Sequence, residues 1–266
     1  MKSKLCSIVS IILLATITIP ANSQETTKSK PANETDNRGT LIFSDDFQRS
    51  ESQETKDEPG NGWTTNSKSR AAGNKQVDLK DGAMYIYRHE VADHGVSVVH
   101  PAGFRDGSVE IKFMLENEND TLGLNFADMT FKEVHAGHLF KVIIGTKRVE
   151  LADLKTGVMN LETRKLRKAN KVPEELKEKL KTKSKRIPNK LETGKWYSAV
   201  AKVSGETLSL SIDGTEVGSF SSQGIAHPTK HTLRLAIAKN VVVDDLKIFR
   251  IGEPIPKPAP KKRKAK

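Results

Sequence analysis

The feature that most constrains the fold is a group of three short segments between residues 194 and 217, joined by residues typical of tight turns. In the middle segment, residues 207–212, Leu208, Leu210 and Ile212 alternate with polar residues and therefore lie on one face of a strand. The dipeptide Asp213-Gly214 favours the positive φ angles of a two-residue hairpin turn. Such a three-stranded unit exposes an apolar face, so it predicts a second sheet that covers that face.

Short segments rich in β-branched and aromatic residues recur along most of the chain, and one region departs from this pattern. The predicted strands cover residues 40–47, 83–88, 95–100, 107–115, 122–126, 138–144, 148–154, 232–238 and 241–249, with a short one beginning at Trp63. Residues 161–186 instead have helical spacing, with Leu176 and Leu180 four residues apart. Many evenly spaced strands with one helical insertion predict an all-β fold built as a two-sheet antiparallel sandwich.

The N-terminal residues have the organisation of an export signal. Residues 1–23 begin with two lysines, continue with an uncharged apolar run from Ile8 to Ile19 and end in small residues that predict cleavage after Ser23. The run is too short to span a membrane, so we expect no membrane span in the mature chain. These features predict an exported protein, periplasmic or extracellular. The single cysteine, Cys6, leaves with the signal, so the mature chain has no disulfide.

The positive charge of the chain is concentrated in two segments. Residues 160–192 contain twelve Lys and Arg against five Glu, and residues 253–266 contain six against one. Together with the leader, these segments account for more than the whole net charge of +11, so the remaining body is slightly acidic. A slightly acidic body argues against specific nucleic-acid binding, which places basic residues on the folded surface.

The boundaries of the predicted regions follow from these composition changes. Residues 24–39 are polar and predict a disordered lead, and residues 40–252 would form the sandwich. Residues 160–191 would be a basic helical insertion within it, and residues 253–266, rich in Pro and Lys, a disordered basic tail. Clustered basic residues are typical of segments that bind acidic polysaccharides, although they also occur simply as solvated charge.

Four short motifs together carry a resemblance to a known superfamily. They are Asp45-Asp46-Phe47, Lys195-Trp196-Tyr197, Ile212-Asp213-Gly214 and the sequence Val-Asp-Asp-Leu-Lys-Ile at residues 243–248. Over residues 40–252 they resemble the concanavalin A-like lectin/glucanase jelly rolls, and within that superfamily the chain is similar to the exported 3-keto-disaccharide hydrolase-type domains of planctomycete bacteria. The resemblance implies a jelly-roll sandwich whose concave sheet meets sugar. Because the superfamily includes lectins, glycosidases and adhesion modules, it leaves open whether the chain is an enzyme.

The carboxylate motif of the laminarinase-type enzymes in this superfamily is incomplete here. Those enzymes carry Glu-x-Asp-x-x-Glu on one strand, which places the acid and the nucleophile on one sheet face. The nearest counterpart is Glu118-x-Asp120-x-x-Gly123, which lacks the third carboxylate and includes turn-forming asparagines. This departure excludes the retaining two-carboxylate mechanism.

Histidines are the remaining candidates for acid–base chemistry. His94 follows Asp93 at a predicted bend, and His138 begins a strand after His135. An imidazole that changes charge near neutral pH can act as a general acid or base, so His94 and His138 are the candidate catalytic residues. A surface or packing role is the alternative. Metal binding by His135 and His138 is disfavoured, because residues three apart on a strand point to opposite faces.

Polar residues that alternate with apolar ones on the strands are candidates for sugar contact on the concave face. These candidates are Asn125, Lys141, Glu150 and Arg234. A solvated sheet face is the alternative. With two Trp and three Tyr in the chain, an extended aromatic platform is not expected.

Two pairs of aspartates lie at the ends of strands that should be neighbours. Asp45, Asp46, Asp244 and Asp245 could supply oxygen ligands to a structural calcium ion, as the resemblance implies. Hydrogen bonding to loop amides is the alternative. No other cofactor is expected.

The sequence supports two functional hypotheses. The first is an exported carbohydrate-active protein that binds a glycoside in the concave face of the sandwich and, if it is an enzyme, hydrolyses a glycoside of the 3-keto-disaccharide type. The second is a non-catalytic envelope or extracellular-matrix protein that uses its basic insertion and tail to hold acidic polymers.

The leader gives a direct prediction. Signal cleavage should leave Gln24 as the first residue of the mature chain, because the small residues before it match a signal-peptidase site. Intact-mass measurement on protein isolated from its native host tests this. An envelope species that retains Met1 would contradict it.

Overall fold

Alternation of apolar and polar residues produces two antiparallel sheets that pack face to face, as the sequence predicts. The computed structural model describes residues 38–256. Sheet A contains β1 (Thr40–Asp45), β3 (Val77–Lys80), β4 (Ala83–Tyr87), β6 (Asp106–Met114), β11 (Trp196–Ser204), β12 (Thr207–Ile212), β13 (Thr215–Ser221) and β15 (Asn240–Ile251). Sheet B contains β2 (Thr64–Thr65), β5 (Val96–Phe104), β7 (Thr121–Ala127), β8 (His138–Gly145), β9 (Arg148–Asp153), β10 (Ser184–Pro188) and β14 (Lys230–Ile237).

The strand order in each sheet interleaves distant parts of the chain. Sheet A runs β13-β12-β11-β6-β15-β4-β3, with β1 also paired to β15, and sheet B runs β10-β9-β8-β7-β14-β5-β2. Three short helices, α1 (Ser67–Arg70), α2 (Leu161–Lys168) and α3 (Glu174–Lys181), complete the structure together with a 3₁₀ turn at His135–Gly137. The all-β prediction, two antiparallel sheets with few helices, is confirmed.

The inner faces of the two sheets form one apolar core. Phe113 on β6 and Leu210 on β12 are fully buried, as are Leu124 and Phe126 on β7 of the facing sheet. These residues occupy the alternating positions from which their burial was predicted. Each sheet therefore has one face that is dry and one that is free to carry polar side chains.

The hairpin that organises the sequence forms as predicted. Asp213 and Gly214 have φ angles of 47° and 76°, and they connect β12 to β13. The Asp213 carboxylate accepts a hydrogen bond from the backbone N–H of Ser198 at 2.8 Å, which ties the turn to β11, the strand paired with β12. The turn from β11 to β12 lies at Gly205-Glu206, with Gly205 at φ 56°.

The insertion contains a strand that helical spacing did not reveal. The two helices α2 and α3 are followed by β10, which pairs along the free edge of β9. The expected helical region extended to residue 186, but the chain is already extended from Ser184. Backbone groups of the β9 edge and the contact of Ile187 with the core favour the strand over another helical turn.

Strand β3 was not predicted, and its stability comes from a remote loop. Glu51 accepts a hydrogen bond from Leu79 N–H at 2.9 Å, and Asp57 accepts from Val77 N–H at 2.9 Å. The buried ammonium of Lys75 lies 2.8 Å from the Glu51 carboxylate. These side chains form the hydrogen bonds that a neighbouring strand would otherwise form along the edge of sheet A, and so they protect that edge. Because they come from a distant loop, β3 has no recognisable local sequence pattern.

The region predictions for the two termini concern residues that the structure does not describe. The signal peptide, most of the lead and the tail from residue 257 lie outside residues 38–256, so these remain predictions. Between residues 38 and 256, the helices are all too short or too polar to cross a membrane.

The shared core gives a stability prediction. Phe113→Ala or Leu210→Ala should each lower the free energy of unfolding by about 2–5 kcal/mol, because each removes buried apolar surface and leaves a cavity. Ser209→Ala, next to Leu210 but on the opposite face of β12, is the matched control and should change it by less than about 0.5 kcal/mol. Denaturant melts measure all three. Equal losses for Leu210→Ala and Ser209→Ala would contradict the assignment of faces.

Candidate functional site

One row of residues crosses every strand of sheet B on its outer face, away from sheet A. Strand pairing places these residues side by side in the order Thr64, Val99, Arg234, Asn125, Lys141, Ala152 and Ser184. We call this set the cross-strand row. Three of the four predicted sugar-contact residues, Asn125, Lys141 and Arg234, are adjacent in it. Neighbours on successive strands lie close enough for side chains to act on one ligand.

The centre of the row is a hydrogen-bonded group of Arg234, Asn125 and His138. His138 Nδ1 lies 2.9 Å from Asn125 Oδ1, and Arg234 Nη1 lies 3.2 Å from His138 Nδ1 and 3.4 Å from its Nε2. A neutral imidazole suits this position, because its Nδ1–H can donate to the amide oxygen and the ring adds no second positive charge beside the guanidinium. Arg234 Nη2 also donates to the carbonyl of Ala136 at 2.8 Å. The predicted catalytic residue His138 therefore adjoins two of the predicted binding residues.

The environment of His138 keeps its imidazole neutral. Burial lowers the pKa of His138 to about 4, and the positive charge of Arg234 lowers it in the same direction. Weaker effects of the same sign come from His135, Arg164 and His94. Basic groups therefore surround this end of the row.

His94, the other predicted catalytic residue, occupies a different position. It is exposed in the turn before β5, and its Nδ1 lies 2.9 Å from the carbonyl oxygen of Gly95. Its charge contributes to the low pKa of His138, so it is electrostatically coupled to the site. No direct hydrogen bond joins His94 to the Arg234 group within residues 38–256.

The loop between β7 and β8 positions His138, and a buried aspartate anchors this loop. Asp128 accepts hydrogen bonds from Thr130 N–H at 2.7 Å and from the hydroxyl of Thr229. Burial alone would raise the pKa of Asp128, but these hydrogen bonds and one from His227 lower it to about 2. The carboxylate is therefore charged, and it fixes the end of β7 next to the site.

The basic insertion begins at the same loop. His135 N–H donates to Met159 O at 2.8 Å, and Leu161 N–H donates to Glu133 O at 3.0 Å. The side chain of Asn160 then caps α2 by accepting from the backbone N–H of Thr163 at 3.2 Å. These contacts hold the start of α2 at the edge of the Arg234 group.

Two residues of α2, Arg164 and Lys168, act on the site. Sequence reasoning assigned them only to a general basic cluster. Besides burial, the charges of Arg164, Lys168 and Arg234 lower the pKa of His135. Arg164 and Lys168 are four residues apart and therefore share a helix face. That spacing, following directly on the His135-to-His138 segment, was the available sequence signal.

Glu150, the fourth predicted binding residue, forms an ion pair beside the row. Its carboxylate lies 2.9 Å from Lys141 Nζ and 3.4 Å from Arg186 Nε. Burial raises the pKa of Glu150, but the two cations outweigh it and the net shift is downward. Arg186 was missed because its strand, β10, was predicted as helix.

The carboxylates of sheet B do not form a retaining glycosidase pair. Glu150 is the one carboxylate that the strands of sheet B, all within residues 38–256, present on the outer face. Asp153 is fully buried on the other side, where it accepts from Ser222 and from Gly224 N–H. Glu118 and Asp120 lie in the turn before β7, as predicted. Retaining hydrolysis needs two carboxyl groups about 5 Å apart across the sugar, and this face offers one.

The four aspartates predicted to bind calcium do not converge on one point. Asp45 is buried, and its carboxylate receives Arg49 at 2.6 Å, Trp63 Nε1 at 2.8 Å and a backbone N–H. Asp245 pairs with Lys112 at 2.5 Å. Asp45, Asp46 and Asp245 line one depression and Asp244 lines another, and no three of these carboxylates within residues 38–256 lie close enough to share an ion.

A different set of three carboxylates lies close enough together to hold a cation, and the ammonium of a lysine already occupies it. Among residues 38–256, this set consists of Glu51, Glu54 and Asp78. Lys75 Nζ lies within 3.0 Å of all three. The group therefore stabilises the loop over β3. Among residues 38–256 no further carboxylate cluster is present that could hold calcium, so calcium binding remains a prediction.

The aromatic residues on the strands of sheet B within residues 38–256, Phe104, Phe126 and Phe140, are buried in the core and not on its outer face. Trp63 is buried, where its ring packs with His100, whereas Trp196 is exposed on the outer face of sheet A. Next to Thr64 and Val99, at one end of the cross-strand row, the surface opens into a depression of about 810 Å³ that is lined mainly by apolar side chains. Met129 lines this depression and contacts Arg234, so the two are continuous.

The low pKa of His138 predicts a pH-dependent contribution to stability. Because its pKa is about 4 when folded and 6.5 ordinarily, the unfolded chain binds a proton first as the pH falls. This contribution is fully present above about pH 6.5 and is lost between about pH 6.5 and 4, by on the order of 3 kcal/mol. His138→Gln removes it, so the variant should lose less stability than the parent over this range. Parallel losses in denaturant melts would contradict the assignment.

Comparison with known proteins places the fold. No protein-family model and no curated protein sequence matches the chain. A laminarinase from Rhodothermus marinus is similar with a TM-score of 0.54 and 12% identity, over 80% of this chain and 98% of that one. A laminarinase from Flavobacterium sp. UMI-01 gives 0.52 and 8%, over 79% and 100%. SCLam, a non-specific endo-beta-1,3(4)-glucanase from family GH16, gives 0.52 and 10%, over 80% and 91%. The chain thus has the jelly-roll sandwich fold of these glycanases, which confirms the predicted architecture.

Proposed function

We propose that this protein binds a glycan along the outer face of sheet B. The observation that carries the proposal is the cross-strand row, in which Arg234, Asn125 and Lys141 stand in register on three adjacent strands. Together they offer a guanidinium, an amide and an ammonium, groups that can donate hydrogen bonds to sugar oxygens. The fold likeness to laminarinases and a glucanase supports a carbohydrate ligand for a sandwich of this shape.

The surface beside the row leaves room for a sugar. Gly123 lies next to Asn125 on the same face of β7, and a Cβ there would come within 2.4 Å of Ala236 O. Ala236 is exposed on β14. Small residues therefore flank the larger polar ones, and this alternation gives a shallow floor with polar groups on one side.

Because the outer face of sheet B presents a single carboxylate, we expect the protein to bind a glycan without hydrolysing it by the retaining mechanism. Glu150 is held by two cations, and no second outer-face carboxylate of sheet B lies opposite it within the described residues. The chain therefore resembles these glycanases in shape without their two-carboxylate chemistry. The export and extracellular location predicted from the leader would bring such a protein to polysaccharides.

Binding is tested on a glycan array followed by calorimetry on the best ligand. Asn125→Ala should weaken that ligand about tenfold, the effect of one or two lost hydrogen bonds. Ser209→Ala, on the outer face of sheet A, is the control and should bind like the parent. Thermal melts verify that both variants fold. Binding that is unaffected by Asn125→Ala would place the glycan elsewhere.

Hydrolysis of a 3-keto-disaccharide is a second candidate, which the position of His138 beside Asn125 and Arg234 favours. A ring with a pKa of about 4 is unprotonated at neutral pH and would act there as a weak general base. Release of sugar from 3-keto-glycosides should then fall strongly in His138→Ala and also in His94→Ala if both residues act. If turnover persists in both variants, neither histidine takes part in catalysis.

The alternative role, a matrix protein that holds acidic polymers through its basic insertion and tail, remains a prediction. The structure describes the insertion but not residues 257–266. Deleting residues 253–266 would weaken retention on an acidic-polysaccharide column under that hypothesis. A glycan-binding row on sheet B predicts that the deletion leaves its ligand affinity unchanged.

A further inference from the structure

Arg234 holds a positive charge that the protein itself does not neutralise. Its guanidinium contacts His138, the carbonyl of Ala136 and the sulfur of Met129, and it forms no ion pair with any carboxylate of residues 38–256. Burial lowers its pKa, so the charge is held at a cost. Buried or half-buried charges in proteins are normally paired, because removal from water is otherwise unfavourable. An unpaired guanidinium at the centre of a candidate binding row suggests that the ligand supplies the counter-ion.

The neighbours of Arg234 increase the positive potential. Backbone hydrogen bonds hold the start of α2 against the loop that carries His135, and the charges of Arg164 and Lys168 on that helix lower the pKa of His135. On the other side of the row, Glu150 is shared by Lys141 and Arg186, so that group also carries a net positive charge. The charges converge on the outer face of sheet B from three strands, β8, β10 and β14, and from helix α2. A surface lined by one sign of charge attracts ligands of the opposite sign.

We infer that the glycan of sheet B is anionic and that Arg234 binds its carboxylate or sulfate group. This rests on the proposed glycan-binding function and specifies its substrate class. Arg234 would contribute a planar, charge-assisted contact, the geometry in which guanidinium groups bind carboxylates and sulfates. Arg164 and Lys168 would bind the next acidic group along the chain, whereas Lys165 on the same helix would not take part.

This inference differs from general attraction between polyanions and basic segments. A diffuse effect depends on the number of basic residues and treats all four cations of α2 alike. A built site depends on Arg234 and on one face of α2. The helix supplies its own matched control, because Arg164 and the exposed Lys165 carry the same charge, whereas adjacent residues of a helix point about 100° apart.

The probes are short oligosaccharides, which limit diffuse polyelectrolyte binding. Oligomers of galacturonate, glucuronate and mannuronate test the carboxylate, and sulfated oligosaccharides test the sulfate. Each is paired with its carboxyl-reduced or desulfated counterpart. Affinities are measured by calorimetry with the whole chain at two salt concentrations. We expect at least one acidic oligomer to bind about tenfold or more tightly than its neutral counterpart.

The variants then locate the site. Arg234→Gln should weaken the acidic ligand about tenfold or more and leave its neutral counterpart little changed. The variant Arg164→Gln should weaken it about threefold or more at low salt, and Lys165→Gln by clearly less. Lys202→Gln, exposed on the outer face of sheet A, controls for the loss of one charge. Thermal melts verify folding, and Arg234→Lys, which keeps the charge without the planar fork, should recover part of the affinity.

Each result has a defined meaning. If only neutral glycans bind and Asn125→Ala weakens them, the anionic inference is wrong and the proposed function stands. If acidic oligomers bind but Arg164→Gln and Lys165→Gln weaken them equally and Arg234→Gln has no effect, binding is diffuse and the inference is also wrong. If no glycan binds at all, both the inference and the proposed function fail.

Discussion

The apolar contact between the two sheets is the constraint on which the rest of the structure depends. Because Leu124, Phe126 and their neighbours must face sheet A, every alternate residue of the same strands must face outward. Strand register then aligns the outward residues of separate strands into rows. The position of Arg234 beside Asn125 and Lys141 is thus a consequence of packing on the other side of the sheet. Substitutions on the outer face can change the ligand while leaving the core intact.

The charge on that outer face is arranged in a way that folding alone does not favour. The cluster around Lys75 shows the usual solution for a buried cation, with three carboxylates close to its ammonium. Arg234 has carbonyl, sulfur and imidazole contacts instead. The same chain therefore pairs one partly buried cation fully and leaves another without a carboxylate. Proteins often retain such locally unfavourable groups at functional sites, where a ligand completes them.

Much of the sandwich could be predicted from the sequence, because its strands alternate clearly and its hairpin turn uses Asp213-Gly214. The two strands that could not be predicted share a physical cause. Strand β3 depends on carboxylates from a distant loop, and β10 depends on the free edge of β9, so neither has a strong local pattern. In the candidate site, alternation identified Asn125, Lys141 and Arg234. It could not identify Arg186 or the α2 residues, since their position depends on how the insertion meets the sheet.

The insertion is therefore best understood as part of the sheet B surface and not as a separate basic segment. Its first residues pair with the β7–β8 loop, and that loop carries His135 and leads into His138. A rigid sheet supplies the row, and a loop and helix at its edge supply the additional charge, which is the usual division between scaffold and binding loops. Within α2, the charges of Arg164 and Lys168 lower the pKa of His135. The basic composition of the segment thus separates into residues that face the site and residues that remain solvated charge.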